Sequence, residues 1–270
     1  MSDLEKEYYE SNEFWKEGMV EDEANLLRLK ETINLIPKGT KNLADFGCGN
    51  GIFARMLATS RPEIDTLSID RSETALKYVK TKKLLSGLFD VPLADNSFDC
   101  TNCLQVLEHI PVNEYEGSLH ELSRISDKYI IISVPYNEDI SKEVTQCPQC
   151  KSIFNVELHL RSYTDSDIEK LFSKDGFRLI NEKKVFKKNM SYWGTGTYVT
   201  FRNLFSGNKG MFKSPVCVVC GYKNKDFNIS SGGNAESAES SQASAKSYLK
   251  KFWPKKYVTA AWVIGVYQKN

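Results

Sequence analysis

Three groups of residues in this 270-residue chain have types and spacings that could do chemistry. The first is Asp45-Phe46-Gly47-Cys48-Gly49-Asn50-Gly51, a carboxylate at the end of an apolar run followed by three glycines at alternate positions. Glycine lacks a Cβ, so this stretch can turn sharply and let a ligand approach the main chain. A helix over Ile52 to Thr59 would then aim its free N–H groups at that ligand. The second is a pair of C-x-x-C knuckles, Cys147 with Cys150 and Cys217 with Cys220. One knuckle could be chance, a redox pair or half a metal site. Two, one holding Pro148 and the other followed by Gly221, favour a four-cysteine site for structural zinc. The third is a set of three histidines, of which His109 and His159 are the candidates for taking a proton at neutral pH.

The glycine spacing limits the ligand. A dinucleotide site reads G-x-G-x-x-G, with pyrophosphate on the helix N-terminus. Here the spacing is G-x-G-x-G, and Asp45 would repel pyrophosphate but suits a ligand carrying an amino group. A second apolar run, Ile64 to Ile69, ends in Asp70. An acidic residue about 20 positions after a glycine loop can accept hydrogen bonds from ribose hydroxyls.

With its flanking strand, the loop Leu43 to Phe53 resembles motif I of the class I S-adenosylmethionine-dependent methyltransferases. Asp70 stands where that family has its ribose ligand. Ser86 to Leu93 resembles the third motif, whose apolar pair flanks adenine, and Asn96 to Ile110 resembles the fourth strand and its loop. The resemblance covers Leu43 to Pro135. Four motifs in order disfavour an unrelated Rossmann-like domain. The resemblance implies S-adenosylmethionine as cofactor, with Asp45, Gly47, Cys48, Gly49, Asp70, Arg71, Leu88, Phe89 and Gln105 as its binding set. The first knuckle, followed by Phe154 and then His159-Leu160-Arg161-Ser162-Tyr163, also resembles an insertion in bacterial methyltransferases encoded with surface-glycan or small-metabolite pathways.

Methyl transfer from a sulfonium asks the protein for alignment and a dry pocket. A hydroxyl acceptor asks for a base as well. His109 follows the fourth strand, where it could instead hold a loop in place. His159 lies in the knuckle loop, with Arg161 and Tyr136 expected nearby; an arginine there suits a phosphate or carboxylate on the substrate. His120 reads as a helix surface residue. Cys48, Cys100 and Cys103 read as small core residues, Cys48 also lying in the cofactor loop. The leading function is O-methylation of a small molecule or glycan precursor. The alternatives are an RNA methyltransferase with the knuckles on RNA, and a non-catalytic scaffold, which intact Asp45, Gly47, Gly49 and Asp70 disfavour.

The elements that must position these groups alternate: strands at 43–46, 64–69, 84–88, 98–103 and 129–134, helices at 52–59, 72–80 and 114–125. Such alternation predicts an α/β, doubly wound, mostly parallel sheet, with ligands beyond the carboxyl ends of the strands. A helix at 166–174 and strands at 177–186 and 257–268 complete seven strands. The organisation expected is a helical cap over 1–38, a cofactor core over 39–135 and a first knuckle insertion over 136–165. A core helix and strand over 166–186, a second knuckle insertion over 187–256 and a last core strand over 257–270 follow. Tyr8, Tyr9, Phe14 and Trp15 precede an amphipathic helix, Glu21 to Leu35, and either pack on the core or cover the cofactor as a lid. Residues 230–246, rich in Ser, Ala, Gly and Glu, read as a flexible linker.

Composition narrows the partners. With 36 basic and 35 acidic residues the net charge is +1, which disfavours a broad nucleic-acid face. The run Lys183, Lys184, Lys187, Lys188 reads as a solvated face. The charged N-terminus is no signal peptide, and the longest apolar run, Val258 to Tyr267, is too short for a bilayer. A cytoplasmic protein without membrane or nucleic-acid partners is expected, and a reducing compartment favours metal over disulfide for the paired cysteines.

Overall fold

The computed structural model describes residues 9–10, 15, 23–142, 144–186, 217, 219–222 and 260–270. The expectations for the rest of the N-terminal cap, for Lys187 and Lys188, and for the 230–246 linker lie outside the described residues.

Helix α1 (Glu23–Leu35) leads into β1 (Asn42–Phe46), α2 (Ile52–Ser60), β2 (Asp65–Asp70), the one-turn α3 (Glu73–Leu76) and β3 (Lys82–Leu85). Then come β4 (Phe98–Leu104), α4 (Val112–Ile125), β5 (Ser126–Pro135), the short β6 (Val144–Gln146) and β7 (Ile153–Asn155), α5 (Asp165–Lys170), β8 (Phe177–Phe186) and β9 (Ala260–Lys269). Seven strands form one sheet in the order β3-β2-β1-β4-β5-β9-β8. All pairs from β3 to β5 are parallel; β9 is antiparallel to both β5 and β8.

The sequence makes this sheet doubly covered. In β5, Ile130, Ile132 and Val134 pack with Leu119, Leu122 and Ile125 of α4, while Ile131 packs on the other face with Leu29 and Ile33 of α1 and Leu57 of α2. The run Tyr129 to Ile132 within β5 is apolar at every position, which is what two covered faces require. Fully burying each such side chain contributes about 1.5–3 kcal/mol.

Several expected elements differ, the first being the helix read over 166–174, which ends at Lys170 and is followed by a separate 3-10 turn, Ser173–Asp175. The helix read over 72–80 stops at Leu76, because the N–H groups of Lys77, Tyr78 and Val79 turn back to carbonyls three residues earlier, a tightened turn that ends an α-helix. The third strand lies at 82–85 rather than 84–88. It is an edge strand whose lysines, Lys82 and Lys83, are exposed. Lys183 and Lys184, read as a solvated basic face, are engaged in ion pairs with Glu31 and Asp165. Among the described residues no helix is long and apolar enough to cross a membrane.

Candidate active site

The chain order reverses between β1 and β4, and there the carboxyl ends of the strands open into a cavity of about 490 Å³. Its floor is the glycine loop. Gly47, Gly49 and Gly51 all have positive φ, the last as the N-cap of α2. A Cβ on Gly47 would stand 2.3 Å from a methyl of Val106, and one on Gly49 would stand 2.8 Å from the Trp15 ring. The loop is thus sterically closed to side chains at both positions. The main-chain N–H groups of Gly47 and Cys48 are held by the carbonyl of Ile69, which docks the loop onto β2.

Two carboxylates face this floor. Asp45 is 2% exposed, and it is paired in register with Asn102 on β4. The Asn102 amide, oriented with its nitrogen toward Asp45 Oδ1, donates at 2.8 Å. Asp45 Oδ2 has no partner among the described residues. Burial, and next the nearby Asp70 charge, push the Asp45 carboxyl up to about 7, against the Asn102 hydrogen bond. A buried carboxylate oxygen without a donor, beside an open cavity, suits a cationic group on a ligand. Asp70 accepts from the N–H groups of Gly49 and Ser72, each at 2.8 Å. Burial raises its pKa despite those bonds.

Arg71, Leu88, Phe89 and Gln105, along with Cys48, line the same cavity. Gln105 adopts φ 59° and donates its side-chain amide to the carbonyl of Ser133 at 3.0 Å. Phe89 is 60% exposed and lies over Gly117, where a Cβ would stand 2.6 Å from its ring. Tyr9 and Trp15 reach the cavity from the N-terminal segment. The Trp15 indole donates to the Tyr9 carbonyl at 2.6 Å, Ser72 Oγ donates to the same carbonyl at 2.9 Å, and the Arg71 guanidinium stacks over the Tyr9 ring.

At the far side of the cavity His109 and His159 come together, their ring centroids 4.9 Å apart. Glu108, which the sequence reading passed over, completes the cluster. One ligand atom from each of the three lies within 4.8 Å of the others. Glu108 is fully buried, and neither of its carboxylate oxygens has a hydrogen-bond partner among the described residues. Burial pushes its carboxyl up to about 7. Burial also drives His109 down to about 3, with the neighbouring His159 charge adding to the effect. His159 donates Nδ1–H to Glu138 at 2.6 Å. Burial acts to lower its pKa, but the Glu138 bond and the charges of Glu108, Glu138 and Glu157 outweigh that and raise it.

Arg161 and Tyr136 do not join this group. The Arg161 guanidinium lies 3.9 Å from the Tyr115 ring centroid and donates to the Leu107 carbonyl, so a flat aromatic face and a backbone acceptor hold it away from the imidazoles. Tyr136 lies under Lys184 instead. His120 is on the surface of α4, 3.0 Å from Asp175. Cys48, Cys100 and Cys103 are buried as expected of core thiols.

The four paired cysteines also meet. Cys147 and Cys150 lie in the turn of the β6–β7 hairpin, and Cys217 and Cys220 are brought against them. The Sγ atoms of Cys147 and Cys220 are 3.7 Å apart, as are those of Cys150 and Cys217. Four sulfurs at about 2.3 Å from one tetrahedral ion would be spaced by about 3.8 Å. The N–H groups of Gln149 and Cys150 point at the Cys147 sulfur and that of Val219 at the Cys217 sulfur, an arrangement that favours thiolates. The hydrogen bonds from Ser152 hold the Cys150 thiol down, to about 6. The residues present therefore fit a zinc ion.

A family model described as a methyltransferase domain matches residues 44–129. An uncharacterized protein of Methanocaldococcus jannaschii is 28% identical over 196 residues, 66% of this chain and 79% of the relative. The ubiquinone biosynthesis O-methyltransferase of Thiobacillus denitrificans is 32% identical over 99 residues, 33% of this chain and 42% of the enzyme. The chloroplastic magnesium protoporphyrin IX methyltransferase of Arabidopsis thaliana is 24% identical over 148 residues, 51% of this chain and 46% of the enzyme. The chain thus spans less than half the length of either named enzyme. Among solved structures, a SAM-dependent methyltransferase from Archaeoglobus fulgidus is similar with a TM-score of 0.52 at 13% identity, covering 98% of both chains. The magnesium protoporphyrin IX methyltransferase of Synechocystis with bound SAH reaches 0.52 at 16% identity, covering 69% of this chain and 94% of that one. At such identities these two speak for the shared fold. With the acidic glycine loop, the strand reversal above it and the matched domain all at one place, the chain carries a methyltransferase domain of the S-adenosylmethionine-dependent, Rossmann-like kind.

Proposed function

We propose that this protein transfers a methyl group to a hydroxyl oxygen of a small molecule or glycan precursor, received where Glu108, His109 and His159 face the cofactor cavity. The observation that carries the reading is this cluster of one buried carboxylate and two half-buried imidazoles, lining the same cavity as Asp45 and Asp70. Bound S-adenosylmethionine supplies an activated methyl group on a sulfonium. Asp45 offers its unpartnered oxygen to the amino group, Asp70 offers its remaining lone pairs to the ribose, and Leu88 and Phe89 flank the adenine. Arg71 and Gln105 border that set. Trp15 and Tyr9 act as a lid that keeps water off the glycine loop. His159, oriented by Glu138, and His109 draw the proton from the acceptor hydroxyl, which a neutral alcohol must lose as its oxygen is alkylated. The four-cysteine cluster holds one structural zinc and has no open position for chemistry.

The balance of 36 basic and 35 acidic residues, and the pairing of Lys183 and Lys184 with carboxylates, support a small acceptor over RNA. The test supplies purified protein with methyl-labelled cofactor and a panel of hydroxylated metabolites, sugar nucleotides and total RNA. Label in an ether of one small molecule is expected. Label in RNA alone would overturn the acceptor class.

A further inference from the structure

We infer that Glu108, His109 and His159 form a second cation site, separate from the four cysteines, which takes a divalent first-row transition ion on the acceptor side of the cavity. The inference deepens the reading above and rests on it: the ion's open positions would receive an oxygen of the acceptor.

The ligand types point to such an ion. Two imidazoles and one carboxylate, with positions left open, suit Mn²⁺, Fe²⁺, Co²⁺ or Zn²⁺, whereas four thiolates suit zinc. The three side chains come from two separate stretches, the loop after β4 and the loop after β7, yet their ligand atoms converge within 4.8 Å. Metal bonds of about 2.0–2.2 Å place ligand atoms roughly 3 Å apart, so side-chain torsions alone can close the set.

Glu108 is the independent observation. It is 0% exposed, and both its oxygens are without a hydrogen-bond partner among the described residues. Buried charges are paired or bind metals, and a carboxylate left with neither is costly. The N–H of Leu160 goes to the Glu108 carbonyl oxygen rather than to the side chain. A cation between Glu108 and the two rings would complete it.

Glu138 supplies the outer shell. By accepting the Nδ1–H bond of His159 at 2.6 Å it fixes the ring and leaves the Nε2 lone pair to ligate. A carboxylate behind a histidine is the usual support of a metal-bound imidazole. On the other ring, His109 Nδ1 lies 3.4 Å from the Tyr9 hydroxyl, and the ring also bonds the Leu158 backbone, a contact it would exchange for the ion. Glu138 is thus a positioning residue; with both imidazoles engaged as ligands, the cation would make the acceptor hydroxyl acidic enough to release its proton to water, replacing the histidines as base.

The test titrates Mn²⁺ into the zinc-loaded full chain and follows loss of the free-ion electron paramagnetic signal. Mn²⁺ favours nitrogen and oxygen donors, so the cysteines should not compete. About one Mn²⁺ per chain is expected. Glu108→Gln and His159→Ala should abolish that binding, and Glu138→Gln should weaken it by about 10–100-fold. S-adenosylhomocysteine binding, measured by calorimetry on each variant, reports that the fold survives. Wild-type protein that binds S-adenosylhomocysteine but neither Mn²⁺ nor Co²⁺ would overturn the site, as would Mn²⁺ binding that Glu108→Gln leaves unchanged. Failure of wild-type protein to bind S-adenosylhomocysteine would instead strike the methyltransferase reading.

Discussion

Leu160 donates its backbone N–H to the carbonyl oxygen of Glu108 at 2.8 Å, and this bond stitches the loop that carries His159 to the loop that carries His109. The Arg161 guanidinium reinforces the seam at the Leu107 carbonyl. On the other side, the Asn155 amide donates to the Ile140 carbonyl at 3.0 Å within the hairpin insertion that holds Cys147 and Cys150. The cysteine cluster and the imidazole pair therefore belong to one connected cap over the cavity, whereas Asp45 and Asp70 belong to the sheet.

That division sets the outcome of removing a thiolate. Cys217→Ser should lose the zinc, which in the wild type amounts to about one ion per chain by elemental analysis. Hydrogen exchange should quicken over residues 144–163 and stay slow in β1 and β4. S-adenosylhomocysteine binding should persist while turnover falls. Equal loosening of β1 would show that the metal supports the whole domain.

Removing an imidazole should act on turnover alone. His159→Ala is expected to lower kcat by roughly 10²–10⁴-fold, the usual range for losing a group that handles the acceptor proton. Cofactor affinity should change little, because His159 is oriented by Glu138 and not by the glycine loop. Steady-state kinetics and calorimetry on the same protein separate the two. A rise in cofactor Kd with kcat intact would place His159 in the wrong half of the site.

Asp70 tests the floor. Because it also accepts from the N–H groups of Gly49 and Ser72, Asp70→Ala removes a ligand contact and releases two main-chain donors. Hydrogen bonds to a charged group contribute about 1.5–3 kcal/mol each, so binding of S-adenosylhomocysteine should weaken by at least about tenfold. Asp70→Asn, which can still accept one of those donors, should weaken it less. Equal losses in the two variants would mean that the loop contacts are not part of the effect.

Asp45 should make both stability and binding depend on pH. Its carboxyl is pushed from 3.8 to about 7 in the folded chain, chiefly by burial. A carboxyl with a raised folded-state pKa contributes stability that is complete below the unfolded value and is lost as pH rises through the folded one. The ligand-free protein should therefore lose of order 1–4 kcal/mol between about pH 4 and pH 7 from this group, and Asp45→Asn should flatten that slope in denaturant titrations. Ligand binding has the opposite sign, since only ionised Asp45 pairs with an ammonium. S-adenosylhomocysteine should bind more tightly as pH rises through about 7, and the trend should vanish in Asp45→Asn. A pH-independent wild-type Kd would detach Asp45 from the amino group.

The sheet was legible where a strand carries an apolar run or is bounded by a glycine or a proline. Phe177–Phe186 begins just after Gly176 and matches the expected bounds, whereas the strand expected at 129–134 starts already at Ser126, since Asp127 and Lys128 mask its beginning. The edge strand β3 was misplaced because Lys82 and Lys83 remove the apolar signal, which a strand with solvent on its outer side does not need. In the site, the glycine loop and Asp70 could be read because their backbone demands are written in residue type. The two histidines could be named but not paired, since nothing in the chain says that residues 50 positions apart meet with rings at 4.9 Å. Glu108 was hidden by its own environment: a charged residue beside Leu107 and His109 looks like a surface position until the fold buries it. Glu138 had no local signal at all, its role arising only from where the hairpin insertion folds back.

The position of β9 has a consequence in time. It lies between β5 and β8, yet it is made after both. On a ribosome adding roughly 5–20 residues per second, β8 would wait several seconds without the neighbour it pairs with in the sheet, while β1 to β5 could already assemble the cofactor floor. Synthesis of this chain therefore offers an interval in which the glycine loop and its carboxylates stand ready but the sheet edge is open. Cofactor present in that interval would favour the native register of the half already built, and a pause in translation before residue 260 would prolong exposure of the unpaired β5 edge.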